Sequence, residues 1–313
     1  ILEVVMSKKV LIATEKPFAR QAVDQIREII DQAGYELILL EKYTEAADLI
    51  KAAAKVDALI IRSDKVTGEV LANAEDLKIV VRAGAGYDNV DLKAATARDV
   101  VVMNTPGQNS NAVAELAFGM MIYMARGQFN GKSGTELRGK NLGIHAFGNV
   151  GMNVSRIALG FDMEIFAYDP FVKPHIMGEY GVKAVTSEVD LYGKCDYISL
   201  HLPLIPPTER AVNYDLLSHM KKGATLINTA RKEVVCEDGL IKLFRERDDL
   251  KYASDIAPDK KEEMTAEFGN RVYFTPKKMG AQTEEANINA GLAAARQIID
   301  FFKKGDRTFQ VNK

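Results

Sequence analysis

A pair of doubly wound parallel-sheet α/β domains is the architecture this sequence predicts, and three observations predict it. Short β-branched runs alternate with amphipathic stretches from Val10 onward. The alternation stops after Pro106 for one long, uniformly apolar helix and restarts at Leu142. The chain has 313 residues, 47% of them hydrophobic, enough to fill two cores of ordinary size.

Each element follows in order. Val10 to Ala13 reads as a strand, and Arg20 to Ala33 as a helix ended by Gly34. Leu37 to Leu40 is a second strand, followed by a helix to Ala54 with Thr44 as its cap. Ala58 to Ile61, Leu77 to Val81 and Val100 to Met103 complete the first set of strands. A βαβα rhythm implies a parallel sheet covered by helices on both faces. Asn109 to Ala125 is apolar on nearly every side, the pattern of a helix buried in a core or an interface. The polar, Gly-rich stretch Gly127 to Lys140 reads as a loop. The second set of strands covers Leu142 to Ala146, Met163 to Tyr168, Tyr197 to Leu200, Thr225 to Asn228, Tyr252 to Ile256 and Val272 to Phe274. A last helix runs from about Thr283 to Lys304. Ligands in such sheets bind beyond the carboxyl ends of the strands, so the loops there carry the candidate residues.

Charge excludes some functions. Charged residues are 27% of the chain and the formal net charge is −2, which leaves no electrostatic footprint for nucleic acid or an anionic membrane. Two cysteines, Cys195 and Cys236, form no disulfide framework and fit a reducing, cytoplasmic compartment. No apolar run reaches the length of a membrane span. Met6-Ser7-Lys8-Lys9 reads as a natural start, with residues 1–5 a remnant of cloning.

The first chemical signal lies at the restart. Residues Leu142 to Gly151 are a strand, a tight turn and a helix start, with Ala146, Gly148 and Gly151 in the three positions of a G-x-G-x-x-G dinucleotide fingerprint. Gly148 lets the backbone approach a pyrophosphate, Gly151 lets the helix pack closely on the strand, and the helix start at Asn149 and Val150 offers N–H groups to phosphates. Asp169 closes the next strand about twenty residues on, where the fingerprint places the acid that accepts from a ribose hydroxyl. An acid there repels a 2′-phosphate, so the expected cofactor is NAD rather than NADP.

Several further blocks, in order, resemble the D-2-hydroxyacid dehydrogenase family and, within it, a phosphoglycerate-oxidising branch. They are Ile61-Arg62-Ser63, Arg82 to Asp91, Asn109 to Glu115, Ser199 to Pro203, Ile227 to Arg231 and Thr275 to Ala286. The resemblance implies a Rossmann NAD domain, residues 105–282, inserted in a flavodoxin-like substrate domain of residues 6–104 and 283–313. It implies an active site between them, a homodimer through the NAD domain and its long helix, and oxidation of 3-phosphoglycerate as the entry to serine synthesis. It assigns Arg231 to the substrate carboxylate and carbonyl, which a planar guanidinium fork pairs together. It assigns the N–H groups of Gly84, Ala85 and Gly86 to the same carboxylate, and Arg62 to the phosphate with Ser63 and Asn109 assisting; Lys132 is a weaker phosphate candidate. His201, Pro203, Thr229, Ala230 and Asp255 complete the implied cofactor contacts.

The chain departs from the family at its proton-transfer pair. A histidine follows Thr-Pro in most members, with a glutamate upstream; here Lys277 follows Thr275-Pro276, and Lys260 stands where the glutamate would. None of His145, His175, His201 and His219 takes the missing place. Joint replacement points to Lys277 as general acid/base, with Lys278 the alternative, as in a lysine subtype of this family. Burial against a nicotinamide and the charges of Arg231, Lys278 and Lys260 would favour its neutral form, and Asp255 or Asp259 would oppose that. The chain stops at Lys313, whereas longer relatives continue into a regulatory amino-acid-binding domain, so control by serine through such a domain is not expected. Two other readings remain open: a dehydrogenase for a different 2-hydroxyacid, and an NAD-sensing binding protein like the C-terminal-binding corepressors. Intact Arg231 and the glycine loop speak against the second.

Overall fold

The structure, a computed structural model, describes residues 7–312; the start read at Met6 lies outside them. The first part of the chain runs β1 (Lys9–Thr14), α1 (Arg20–Gln32), β2 (Glu36–Glu41), α2 (Ala46–Ala53), β3 (Ala58–Ile61), α3 (Gly68–Asn73), β4 (Ile79–Arg82), α4 (Leu92–Ala97) and β5 (Val101–Asn104). The middle runs α5 (Ser110–Ala125), β6 (Asn141–His145), α6 (Asn149–Gly160), β7 (Glu164–Tyr168), α7 (Pro174–Glu179), β8 (Lys183–Ala184), α8 (Glu188–Lys194) and β9 (Tyr197–Leu200). It continues through α9 (Tyr214–Ser218), β10 (Thr225–Asn228), α10 (Glu237–Glu246), β11 (Lys251–Ser254), α11 (Lys261–Phe268) and β12 (Val272–Phe274). The helix α12 (Glu284–Lys304) follows.

These elements form two compact units. One runs to Asn109 and resumes at Thr283; the other is Ser110–Gln282. In the first unit the strand order is β2-β1-β3-β4-β5, and every pairing is parallel. That is the flavodoxin-like order, whose chain reversal falls between β1 and β3. In the second unit the order is β12-β11-β10-β9-β6-β7-β8, again parallel throughout. Its chain reverses between β6 and β9, the Rossmann arrangement.

The strands are buried on both faces, which explains their continuous apolar reading. Val10 and Ile12 enter one core with Ile60, Val81 and the helices α1 and α12, while Leu11 and Ala13 enter the other with Leu59 and Val80. Small residues on α12 let it lie close: Ala290, Ala294 and Ala295 are buried, and a Cβ on Gly291 would come within 2.8 Å of Ile26. The last described residues finish the same unit. Gln310 bridges to Met103 in antiparallel fashion, Val311 donates to the Val102 carbonyl at 2.9 Å, and Val102 donates to the Asn312 side chain at 2.8 Å.

Two local readings need correction. Thr44 is not the cap of α2, which starts after Glu45 without a side-chain capping bond. The segment before it is instead tied by Tyr43, whose hydroxyl donates to Asp64 at 2.8 Å. The strand β8 was not read at all, being two exposed residues with no pattern to see. Among the described residues no helix is long and apolar enough to cross a membrane.

Candidate active site

In the first unit the candidate residues stand on loops at the carboxyl ends of β3 and β4. Arg62 follows β3 and is half-buried. Its Nη1 donates to the carbonyls of Lys16 and Pro17, 3.2 and 3.3 Å away, and its Nη2 to the amide oxygen of Asn287. The guanidinium carbon lies 5.1 Å from the Phe18 ring centre, a cation–π distance. Burial lowers the pKa of this cation, opposed by the charge of Asp64. Ser63 is exposed.

Asp64 fixes this loop. It is 4% exposed: Glu15 N–H and Tyr43 hydroxyl donate to one oxygen at 2.7 and 2.8 Å, and Arg62 N–H to the other at 3.2 Å. The glycine loop is tied to the same place. Asn89 Nδ2 donates to the carbonyls of Arg62 and Asp64, 3.1 and 2.7 Å away, and Arg82 Nε to the Arg62 carbonyl at 3.0 Å. Gly84 has φ +147, a conformation that L side chains rarely adopt, and a Cβ there would also displace the Arg82 guanidinium, so the position favours glycine. Ala85 is exposed, Gly86 half-buried, and Asn104 Nδ2 holds the Ala85 carbonyl at 2.6 Å. Asn109 is half-buried and ends the first stretch of this unit.

The fingerprint turn of the second unit has the form a dinucleotide requires. Ala146 sits at φ +79, a left-handed conformation that explains why glycine usually occupies the position. A Cβ on Gly148 would meet nothing within 4 Å, so that backbone is open to an incoming group. A Cβ on Gly151 would come within 2.6 Å of the Ala146 carbonyl oxygen, so the helix can pack here only without a side chain. Gly148 is the N-cap of α6 and supplies no side-chain acceptor, leaving the first N–H groups, from Asn149 and Val150, to an anion. Asp169 stands beside the turn and accepts N–H groups from Phe147 and Phe171, both at 2.8 Å. Each oxygen retains a lone pair for a hydroxyl. These features fit a dinucleotide.

Both histidines near this turn are held within the protein. His145 is buried, its Nδ1 3.1 Å from the Tyr192 hydroxyl and its Nε2 3.2 Å from Glu188. The hydrogen bond to His145 holds the Glu188 carboxyl below its ordinary range. His201 lies 2.9 Å from the Ser199 hydroxyl through Nε2 and 3.2 Å from that of Thr229 through Nδ1. Burial, and secondarily the neighbouring His145, pushes its imidazole down to about 3. His175 and His219 are exposed on short helices.

Arg231 follows β10 on a loop built by Asn228. Asn228 accepts from Ala230 N–H at 2.9 Å and donates to the Arg231 carbonyl at 3.0 Å, and Thr229 and Ala230 are buried beside it. The half-buried Arg231 donates from Nη1 to the Ala230 carbonyl at 2.9 Å. Pro203 is exposed, with its carbonyl accepting from Thr208.

The loop after β12 carries Lys277 and Lys278, both exposed. Asp255, 1% exposed, is its anchor: Met279 N–H donates to one oxygen at 2.6 Å and Gly280 N–H to the other at 2.8 Å. Thr275 completes the anchor by donating to Asp255 and to the Lys277 carbonyl. Two of the other expected charges have partners of their own. Lys260 forms an ion pair with Asp238, which raises its pKa, and Asp259 pairs with Lys232. Lys260, the residue before α11, is thus paired with Asp238 on α10. Lys132 is exposed, its N–H bonded to Asn130.

Sequence reasoning missed the anchors. Asp64, Asn89, Asn287 and Thr275 hold the loops, yet each meets partners distant in sequence or bonded through the backbone, which residue type alone does not reveal.

The comparisons agree with this geometry. The sequence model of "D-isomer specific 2-hydroxyacid dehydrogenase, catalytic domain" matches residues 10–312. D-3-phosphoglycerate dehydrogenase of Rattus norvegicus is 34% identical over 300 residues, 91% of this chain and 56% of the relative. The chain thus spans little more than half the length of such curated relatives. Hydroxypyruvate reductase of Thermotoga maritima is 36% identical over 284 residues, 84% of this chain and 90% of that one. The crystal structure of NAD+-bound 3-phosphoglycerate dehydrogenase from Entamoeba histolytica superimposes with a TM-score of 0.88 at 48% identity, covering 98% of this chain and 99% of that chain. With a family match over almost its whole length and the glycine turn, the acid and the arginine loops in place, the chain belongs to the D-isomer specific 2-hydroxyacid dehydrogenases.

Proposed function

We propose that this protein is an NAD-dependent dehydrogenase that oxidises 3-phospho-D-glycerate to 3-phosphohydroxypyruvate, the entry step of L-serine synthesis. The observation that carries the reading is the 48% identity, over nearly all of both chains, to a 3-phosphoglycerate dehydrogenase with NAD+ bound. The half-buried Arg62, surrounded by uncharged groups, supports a phosphate-bearing substrate.

Residues of this chain then have distinct tasks. The open turn at Gly148, the start of α6 at Asn149 and Val150, and Asp169 hold the cofactor, which supplies a hydride acceptor. Arg231 in the second unit is a carboxylate residue, and the N–H groups of Gly84, Ala85 and Gly86 are the carboxylate donors of the first. Arg231 also orients the hydroxyl-bearing carbon and stabilises charge on its oxygen. Lys277, in its neutral amine form, accepts the hydroxyl proton and returns one in reduction. Arg62, with Ser63 and Asn109, takes the phosphate. Asp255, Thr229, Ala230, His201 and Pro203 line the cofactor side. The same reading carries a cytoplasmic homodimer joined through α5, on which Leu116, Ile122 and Tyr123 are only partly buried.

A second reading, a dehydrogenase of an unphosphorylated hydroxyacid, is favoured by the hydroxypyruvate reductase relative, of which the match covers 90%. Initial rates of NADH formation with 3-phosphoglycerate and with glycerate separate the two. Preference for 3-phosphoglycerate is the expected result. Preference for glycerate overturns it, and binding of NADH without turnover of either acid points to a sensor. NADP used faster than NAD at equal concentration would count against Asp169 as the ribose acid.

A further inference from the structure

We propose that Asn287, on the first turn of α12, is a positioning residue that makes the enzyme selective for a phosphorylated substrate by holding the Arg62 guanidinium in place without neutralising it. The proposal rests on Arg62 being the phosphate residue.

A guanidinium offers five N–H groups. On Arg62, Nη1 is spent on the carbonyls of Lys16 and Pro17, and one N–H of Nη2 on Asn287 Oδ1. Nε–H and a second N–H of Nη2 remain for an anion, and two N–H groups suit the paired oxygens of a phosphate. Every group that orients the cation is uncharged: two carbonyls, an amide oxygen and the face of Phe18. The nearby acid, Asp64, is turned away to Glu15, Tyr43 and the Arg62 backbone N–H. A half-buried cation without a counter-ion is costly by itself and gains most when an anion arrives.

Asn287 is itself held. Its Nδ2 donates to the Thr283 carbonyl at 2.7 Å, which leaves the amide oxygen facing Arg62. Thr283 caps α12 by accepting from Ala286 N–H at 3.1 Å. The helix start and the Arg62 pose are thus one construction within the first unit. Aspartate at 287 would have nearly the same shape but would supply the missing negative charge, so the residue's neutrality matters as much as its hydrogen bond.

The test compares wild type with Asn287→Asp, Asn287→Ala, Arg62→Ala and the double variant Arg62→Ala/Asn287→Asp. The readout is the ratio of kcat/KM for 3-phosphoglycerate to that for glycerate, with calorimetric titration of 3-phosphoglycerate to report binding apart from turnover. Asn287→Asp is expected to lower the ratio and weaken binding about tenfold, Asn287→Ala about threefold, and the double variant no further than Arg62→Ala alone. A ratio unchanged in both Asn287 variants while Arg62→Ala lowers it overturns the role of Asn287 and leaves Arg62 as the phosphate residue. Equal loss for both acids in Asn287→Asp also overturns it, because the effect is then structural. No change in any of the variants sinks the Arg62 assignment itself.

Discussion

Asp64 in the first unit and Asp255 in the second are the same device used twice. Each is a buried carboxylate just after a parallel strand, and each accepts two backbone N–H groups and a hydroxyl: Glu15, Arg62 and Tyr43 for Asp64, and Met279, Gly280 and Thr275 for Asp255. The difference lies in what each secures. Asp64 sets a half-buried arginine against uncharged partners, whereas Asp255 sets the exposed loop of Lys277. A carboxylate that accepts N–H groups and a hydroxyl holds a loop firmly. In both units a buried acid fixes the backbone of a loop that carries a candidate cation.

Removing either acid is the severest way to break this parallel. Asp64→Ala leaves the part-buried Glu15 and Arg62 N–H groups and the Tyr43 hydroxyl without their acceptor, and Asp255→Ala leaves the N–H groups of Met279 and Gly280, at about 1–3 kcal/mol for each group left unsatisfied. A loss of roughly 3 kcal/mol in urea unfolding is expected for either variant. Wild-type stability in one of them would show that the two acids are not equivalent.

The next effect falls on the cation secured by Asp255. Lys277→Ala is expected to lose turnover at least about a hundredfold, the low end of what a general base contributes, while NADH binding, followed by fluorescence, stays close to wild type. Lys278→Ala is the control. If it loses turnover and Lys277→Ala does not, the lysine mechanism moves one residue; if neither does, it is wrong.

A base gives a third handle, of opposite sign. The His201 imidazole sits near 3 in the folded protein because burial disfavours its charged form, and near 6.5 when unfolded. Between those values the unfolded chain holds the extra proton. The stability is therefore complete above about pH 6.5 and is lost as pH falls toward 3, by up to ~1.4 kcal/mol per unit. Wild type should lose more stability than His201→Gln between pH 7 and pH 5. Parallel curves for the two would remove His201 from the account.

The smallest effect concerns the strained turn. Ala146 has φ +79, a conformation costing an L residue roughly 1 kcal/mol or more, so Ala146→Gly is expected to stabilise the protein by about 0.5–1 kcal/mol. A lower melting temperature in that variant would mean that the Ala146 methyl is well packed.

Much of the fold was legible because both sheets are buried on two faces, which turns strands into apolar runs such as Ala58–Ile61. Local chemistry was legible where it depends on neighbours in sequence: Gly34 ends α1 at φ +80, and Thr283 caps α12. The fingerprint turn could be read for the same reason, since Gly148 and Gly151 act within a few residues of Ala146. The anchors could not. Asn287 reaches Arg62 across 225 positions and Asp64 reaches Glu15 across 49, and no periodicity connects them. The ion pair of Lys260 with Asp238, 22 residues away in sequence, was likewise not legible.

The first unit is completed by the last part of the chain, which sets an order of synthesis against an order of folding. Ala290, Ala294, Ala295 and Ile298 of α12 fill the core over β3 and β4 beside α1, and Val311 and Asn312 cover the open edge of β5. A ribosome releases β1 to β5 before α12, so their sheet then lacks part of one wall, the rest being α1, and the cover of an edge. The continuous stretch Ser110–Gln282 has all its strands before α12 is made. The second unit is thus expected to become protease-resistant earlier, with the first-made segment waiting, apolar and unpaired, for the last. Nascent chains stalled well beyond residue 282 should yield a protected fragment near 110–282 and a digested N-terminal part. Early protection of residues 7–109 would show that the sheet closes without α12.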